Sequence, residues 1–387
     1  MPEFIPLSIP VLAGNEWTYV RECLDTGWVS SAGSFVTRFE RELAARVGAA
    51  HGVACTSGTA ALHVALQLAG VEAGDLVLAP TVTFIAPINA IAYRGAEPVF
   101  VDCDAYFNLD PVLARAYLAE QTEQADGCCR DRRTGRRVAA LVPVDVFGNA
   151  GDWALLYDDC RARGIAVVED ATEALGTRYT AGPWAGRHAG QAADLACFSF
   201  NGNKIITTGG GGMIVTDLGP QAERARYLTQ QAKDDPIAYR HDEVGYNYRM
   251  TNVAAALGTA QLERLDVHLA SKLATYDAYR ERLTDLAWAE LMPPPPYADS
   301  NLWMLAFRIR DGRWLGRARE LVDVLGAARI EARPLWLPNH LQKPYRQCRI
   351  LGGERAAELA ASTLNLPCSV GLTLDQIDRV CEVLRHA

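Results

Sequence analysis

A chain of 387 residues with 49% apolar and 22% charged content is long enough to bury a sizeable core and to divide into about two domains. Its net charge of −8 excludes non-specific nucleic-acid binding, although not a local basic pocket for a small anion. No apolar run reaches membrane-spanning length, and MPEFIPLSIP lacks the basic-then-apolar pattern of a signal peptide, so a cytoplasmic protein without a membrane partner is expected. The ten cysteines show no CxxC spacing; Cys55, Cys103 and Cys197 sit in strand-like runs and read as small core residues of a chain kept in a reducing compartment, and no metal site is expected.

From about residue 50 to 217 strand and helix signals alternate. HGVACT reads as a strand and SGTAALHVALQLAG as a helix; DLVLAPT and FIAPINAIAYRG repeat the pair. EPVFVDC and VAALVPVDVF are strands, DWALLYDDCRARG is a helix, and GIAVVED, DLACFSF and GMIVTD are strands. This alternation predicts a mostly parallel sheet covered by helices, and the near-continuous apolar strands fit burial on both faces. The charged stretch 126–137 predicts an exposed hairpin or loop, and 251–286 one or two long helices. PPPP at 293–296 marks a break, followed by the strand LWMLAFRIR and the helix GRARELVDVLG. The last helix, LDQIDRVCEVLRHA, carries an apolar face at 374, 377, 380, 381 and 384, with Thr373 and Gln376 spaced for a capping box. The expected organisation is a large α/β domain over 1–250, with an N-terminal helical segment, and a smaller α+β domain over 251–387.

The segment SFNGNKIITTGGGGMIVTD places one lysine, Lys204, between a polar turn and four glycines. A Walker A loop is excluded, because there the lysine follows the last glycine. Three other segments bear on it. TSGTAALHVAL joins a strand end to a helix start, where amides bind phosphate; Gly58 permits close approach and Thr59 adds a hydroxyl. VVEDATEALG ends a buried strand on Glu169 and Asp170 and continues to Glu173, at the edge where open α/β sheets place ligand contacts. PTVTFIAP puts Phe84 at another strand end, placed to stack on a flat ligand. Each segment alone is more simply a helix cap or core packing. Together, a phosphate cradle, an aromatic plate, a strand-end aspartate and a lysine match pyridoxal 5'-phosphate, which needs a Schiff-base lysine, an acidic partner for its pyridinium nitrogen and a phosphate site.

The stretches TGWVSSAG, TSGTAALHVAL, PTVTFIAPINAI, PVDVFGNAGD, VVEDATEALG, CFSFNGNKIITTGGGGMIVTD, GYNYRMTNVAAALGTAQL and RPLWLPNHLQKPY, in this order, resemble the DegT/DnrJ/EryC1/StrS family of nucleotide-sugar aminotransferases over nearly the whole chain. The resemblance implies an aspartate-aminotransferase-type (fold type I) large domain and a homodimer with shared active sites. It implies Lys204 as the Schiff-base lysine and Asp170 as the partner of the pyridinium nitrogen. Glu173 would lie near the phenolic oxygen, Phe84 on the ring, and Gly58, Thr59 and Ser199 at the phosphate. Asn247 would reach the phosphate from the partner subunit. Trp28, Ser30, Ser31 and His340 would lie along the nucleotide-sugar path.

The Asn201-Gly202-Asn203 turn and Gly210 are similar to the branch that aminates UDP-linked 4-keto-6-deoxy-HexNAc sugars, as in bacillosamine and legionaminic acid biosynthesis. The implied reaction moves the amino group of L-glutamate to C4 of such a sugar. Amination in GDP-perosamine synthesis, amination at C3, and a PLP-binding regulatory protein on the same fold are the alternatives.

Overall fold

The computed structural model describes residues 3–235 and 237–387. Its centre is an eight-stranded sheet in the order His51–Cys55, Gly212–Thr216, Leu195–Ser199, Ala166–Asp170, Val138–Leu141, Leu76–Pro80, Glu97–Val101 and Ile350–Leu351. Gly212–Thr216 runs antiparallel to both neighbours, and every other pairing is parallel. Leu76–Pro80, Val138–Leu141 and Gly212–Thr216 are buried along their length because helices cover both faces, as the alternating pattern predicts. The carboxyl ends of His51–Cys55, Leu76–Pro80, Ala166–Asp170 and Leu195–Ser199 share one edge of this sheet, so all four segments singled out above converge there.

A second, antiparallel sheet orders Ala289–Leu291, Leu305–Ile309, Thr363–Leu366 and Arg333–Pro334 and packs with Ala318–Ala327, Glu354–Ser362 and Leu374–His386. The chain crosses between the two layers repeatedly. Ile5 bridges Ile330, and Ile350–Leu351 extends the large sheet from a segment otherwise close to the small one. The crossing near 350 is locked by one buried carboxylate: Asp102 accepts from the backbone N–H groups of Gly353, Arg355 and Ala356, satisfying the orphan amides of the helix Glu354–Ser362.

Two expectations change in detail and a third is settled between its alternatives. VAALVPVDVF is a strand only over Val138–Leu141; beyond it the chain makes a single bridge, Val144 to Asp170, and turns through Val146–Gly148. The stretch 251–286 is two helices, Asn252–Leu262 and Leu265–Arg282. The charged stretch near 126–137 does form a hairpin, Thr122–Ala125 with Cys128–Asp131, but Asp131 is buried, accepting from the Tyr117 hydroxyl and pairing with Arg349. The capping box at Thr373 and Gln376 is present with both its hydrogen bonds.

Candidate active site

The convergent strand ends open on a cavity of ≈ 770 Å³ between the large sheet and the second sheet. Lys204 belongs to a turn closed by its own N–H donating to the Asn201 carbonyl (3.0 Å). Its stem lies on Trp303, with Nζ 4.0 Å from the ring centroid, and Trp303 is fixed in turn by its indole N–H donating to the Asn203 carbonyl (2.7 Å). The cation–π contact with the indole face holds the amine at the cavity wall.

Lys204 Nζ lies 3.4 Å from Glu173 Oε1. The other Glu173 oxygen accepts from the Phe147 N–H at 2.8 Å. Phe147 adopts φ 59°, a costly conformation for a bulky residue, and this is what aims its N–H at the carboxylate. Burial pushes the Glu173 carboxyl up to about 7, with the Lys204 charge acting against that rise.

Asp170 ends its strand with 2% of its surface exposed, and one carboxyl oxygen accepts from the Thr172 N–H at 3.1 Å. Burial raises its pKa, and Thr172 and Lys204 restrain the rise. A carboxylate held in so dry a place calls for a positively charged donor. Behind it, Asp145 and Glu169 form a second buried carboxyl pair. Glu169 accepts from the Tyr157 hydroxyl and the Gly190 N–H, and burial, then Glu169, drives Asp145 well above the usual carboxylate range.

The helix Gly58–Leu68 begins at the cavity, capped by the Ser57 hydroxyl, which accepts from the Ala60 N–H. Its first turn, with Thr59 and Ser199, lines the cavity, an arrangement that suits an anion cradle. A Cβ on Gly58 would come within 2.9 Å of Ser199 Cβ, and one on Gly212 within 2.4 Å of the Ser57 carbonyl oxygen. Two of the conspicuous glycines thus exist to let the cradle approach the lysine loop, while Gly209 supplies a left-handed turn at φ 78°. Phe84, 53% exposed, faces the cavity near Trp336, their centroids 6.4 Å apart.

The fold therefore gathers Gly58, Thr59, Phe84, Asp170, Glu173, Ser199 and Lys204 around one cavity. The remaining expected site residues lie elsewhere on the chain. Asn247 is exposed and outside the cavity; Trp28 lines a separate surface hollow with Gly33 and Asn252; Ser30 is exposed and Ser31 half-buried. His340 is half-buried, its Nδ1 2.6 Å from the Thr81 hydroxyl. Sequence reasoning passed over Phe147, Trp303, Arg333 and Trp336, which line the cavity. Arg333 and Trp336 stand in the same RPLWLPNHLQKPY stretch that singled out His340, and Phe147 stands in PVDVFGNAGD, so a signal existed for these three; Trp303 was hidden inside an apparent strand.

These residues fit pyridoxal 5'-phosphate: an amine for its aldehyde, a dry carboxylate for its ring nitrogen, a glycine-opened helix start for its phosphate. Fold and site together define a PLP-dependent aminotransferase of fold type I. The chain belongs to the DegT/DnrJ/EryC1/StrS aminotransferase family, whose model matches residues 10–385. It is 38% identical to a GDP-perosamine synthase of Caulobacter vibrioides over 98% of this chain and 97% of that one. It is 35% identical to EpsN of Bacillus subtilis, a putative pyridoxal phosphate-dependent aminotransferase, over 100% and 96%. Among solved structures, the aminotransferase TlmJ of Streptoalloteichus hindustanus superposes with a TM-score of 0.86 at 28% identity, covering 99% of this chain and 98% of that one.

Proposed function

We propose that this enzyme transfers the amino group of L-glutamate to C4 of a nucleotide-linked 4-keto-6-deoxy sugar. The observation that carries the reading is the Lys204–Glu173–Asp170 arrangement in a cavity wide enough for a sugar, joined to full-length similarity to sugar aminotransferases. Bound PLP supplies an electron-accepting ring. The chain supplies the protonation pattern around it. Asp170 holds a proton at the ring nitrogen, because a buried carboxylate is stabilised by a cationic donor. Lys204 Nζ, once released from the cofactor, takes the proton from the α-carbon of the donor and returns one at the position where the ketone becomes an amine. Glu173, its carboxyl pushed up to about 7, lies 3.4 Å from that amine and exchanges a proton with it at neutral pH.

Two features bear on the nucleotide. Relatives in Caulobacter vibrioides, Escherichia coli O157:H7 and Vibrio cholerae, 38%, 33% and 34% identical, are GDP-perosamine synthases, which favours a GDP-linked sugar. The Asn201-Gly202-Asn203 turn and Gly210 favour instead the UDP-2-acetamido-2,6-dideoxy-4-keto-hexose of the bacillosamine and legionaminic acid routes. The wider set of full-length relatives carries more weight than one turn, and the GDP-linked reading is preferred. Incubation with 15N-glutamate and a panel of GDP- and UDP-linked 4-keto-6-deoxy sugars, followed by mass spectrometry, tests it. Label is expected in the GDP-linked product; label only in UDP-linked products would replace the carrier, and label in neither would reject C4 amination.

The working unit in this reading is a homodimer with shared sites. Tyr246 and Tyr248 stack at 4.9 Å and pack on His63 of the cradle helix. Asn247, between them in an extended stretch, is turned the opposite way and stands exposed, as a residue serving a partner's phosphate site would be.

A further inference from the structure

The carboxyl pair Asp145 and Glu169 lies behind the cavity, and the proton chemistry above leaves it unused. Glu169 and Asp170 are neighbours on the strand Ala166–Asp170, so their side chains leave it on opposite faces. Asp170 lines the cavity, and Glu169 enters the layer behind it. There both Glu169 oxygens are answered, Oε2 by the Tyr157 hydroxyl at 2.8 Å and Oε1 by the Gly190 N–H at 2.6 Å. Asp145 lies against Glu169 with none of its surface exposed, and neither of its carboxyl oxygens meets a donor. Two touching carboxylates, one of them without a donor, cannot both stay ionised in so dry a place. One proton between them turns the repulsion into a hydrogen bond. Glu169, with two donors already, keeps the charge; Asp145 keeps the proton and donates it to Glu169.

The surroundings favour that arrangement. Tyr157 faces the pair from the helix Ala154–Ala162, Tyr179 from the strand Arg178–Tyr179, and Tyr297 and Asp170 complete the titratable groups that act on it, with Asp152 further out. All are acids or phenols. Burial holds the Tyr157 and Tyr179 phenols well above their ordinary range, so they stay neutral donors. The Gly151 N–H favours an ionised Asp145, but burial and Glu169 outweigh it. The run 143–147 also reaches the site through its backbone. The Asp170 N–H donates to the Pro143 carbonyl at 2.9 Å and the Asp145 N–H to the Asp170 carbonyl at 3.2 Å; the Phe147 N–H donates to Glu173 at 2.8 Å. Asp145 sits in the middle of this run, and its side chain ties the run to the strand.

We infer that Asp145 is a positioning residue for the ring-nitrogen proton: it donates its own proton to Glu169, and the single negative charge so fixed behind Asp170 tightens the hold of Asp170 on the proton it shares with the cofactor. The inference rests on the reading that Asp170 faces the ring nitrogen, and its test separates the two. Three holoenzymes loaded with cofactor labelled with 15N in the ring are compared: wild type, Asp145→Asn, and Asp145→Asn combined with Glu169→Gln. Asp145→Asn keeps a donor toward Glu169 and leaves the charge in place. Adding Glu169→Gln removes the charge at nearly constant shape, with the amide oxygen toward Gly190 and the Tyr157 hydroxyl turned from donor to acceptor.

The 15N resonance, followed as pH is raised, should lose its protonated position at the same pH in wild type and Asp145→Asn, and about one pH unit lower in the double variant, the effect of one fixed charge across a partly screened interior. Turnover should stay within about threefold in Asp145→Asn and fall about tenfold in the double variant, in kcat and not in KM for the sugar. A second measurement needs only the wild type and Asp145→Asn. With 13C-labelled aspartate, the infrared band of a protonated aspartic acid should persist above the region near 7 where Asp104 ionises, and should disappear in Asp145→Asn. A double variant that titrates and turns over like the wild type overturns the inference, as does an equal loss in the single and double variants. Absence of the band in the wild type overturns it even where the double variant does not fold. If the wild-type ring nitrogen carries no proton at neutral pH, it is the Asp170 reading that fails, while the infrared band still reports on Asp145.

Discussion

At the scale of single residues, the proposed site places three ionisable groups in unequal surroundings. Lys204 is cradled by an indole face, Glu173 is buried but answered by a backbone N–H, and Asp170 is buried with one backbone donor. Lys204→Ala should leave a folded protein that no longer retains a borohydride-fixed cofactor mass at residue 204 and no longer turns over; a wild-type level of fixed cofactor would remove the assignment. Asp170→Asn, saturated with cofactor, should lose about 100-fold or more in turnover, because an amide cannot hold the ring proton. Near-normal turnover in that variant would count against the role. Glu173 gives a pH signature independent of catalysis. Its carboxyl is raised in the folded state, so it contributes most to stability below about pH 4.5 and loses that contribution as pH rises through about 7. In cofactor-free protein, Glu173→Gln should therefore gain on the wild type across this window, by roughly 3 kcal/mol at about 1.4 kcal/mol per pH unit. Parallel stability curves for the two proteins, measured by denaturant titration, would show that no such shift exists.

At the scale of elements, the anion cradle and the lysine loop are built on one seam. Gly212 opens the only antiparallel strand of the large sheet, paired with Cys55 on one side and Ser199 on the other, and its missing side chain leaves room for the Ser57–Gly58 turn. Gly212→Ala should cost about 1–3 kcal/mol and weaken cofactor retention together, because the added carbon meets backbone that cannot rotate away. Stability lost with cofactor retention intact, read from absorbance after dialysis, would separate the strand from the cradle. The last helix offers a control far from the site. Its reciprocal cap at Thr373 and Gln376 was readable from spacing alone, and Thr373→Ala should cost about 1 kcal/mol with turnover unchanged.

At the scale of the whole molecule, the segment bearing Asn247 is tied to the cradle helix by the Tyr246, Tyr248 and His63 stack, so its outward aim is set by the same helix that opens on the cavity. If Asn247 serves the partner's phosphate site, Lys204→Ala and Asn247→Asp chains, each inactive alone, should regain part of the activity when mixed and exchanged. One site of the mixed dimer then combines an intact lysine and an intact asparagine, and the other carries both defects; the aspartate repels phosphate in the homodimer of its own variant. Proven exchange without recovery, or a fully active monomer by sedimentation, would leave Asn247 a surface residue of its own chain.

What the sequence determined by itself is the local grammar: alternating apolar runs for a buried parallel sheet, a cap at Thr373, a helix start at Gly58, a lysine in the turn after one strand and an aspartate at the end of another, all found where the pattern put them. These are near-neighbour properties, set by side-chain periodicity and turn chemistry within a few residues. Only the tertiary structure decided which distant groups meet. Trp303 lies beneath Lys204 because the second sheet folds over the first, Glu173 finds a donor in the strained turn at Phe147, and Arg333 faces Asn365 because two short strands pair across a separation of 32 positions. Such encounters depend on the packing of whole layers, and a reading confined to neighbouring residues has no physical term that contains them.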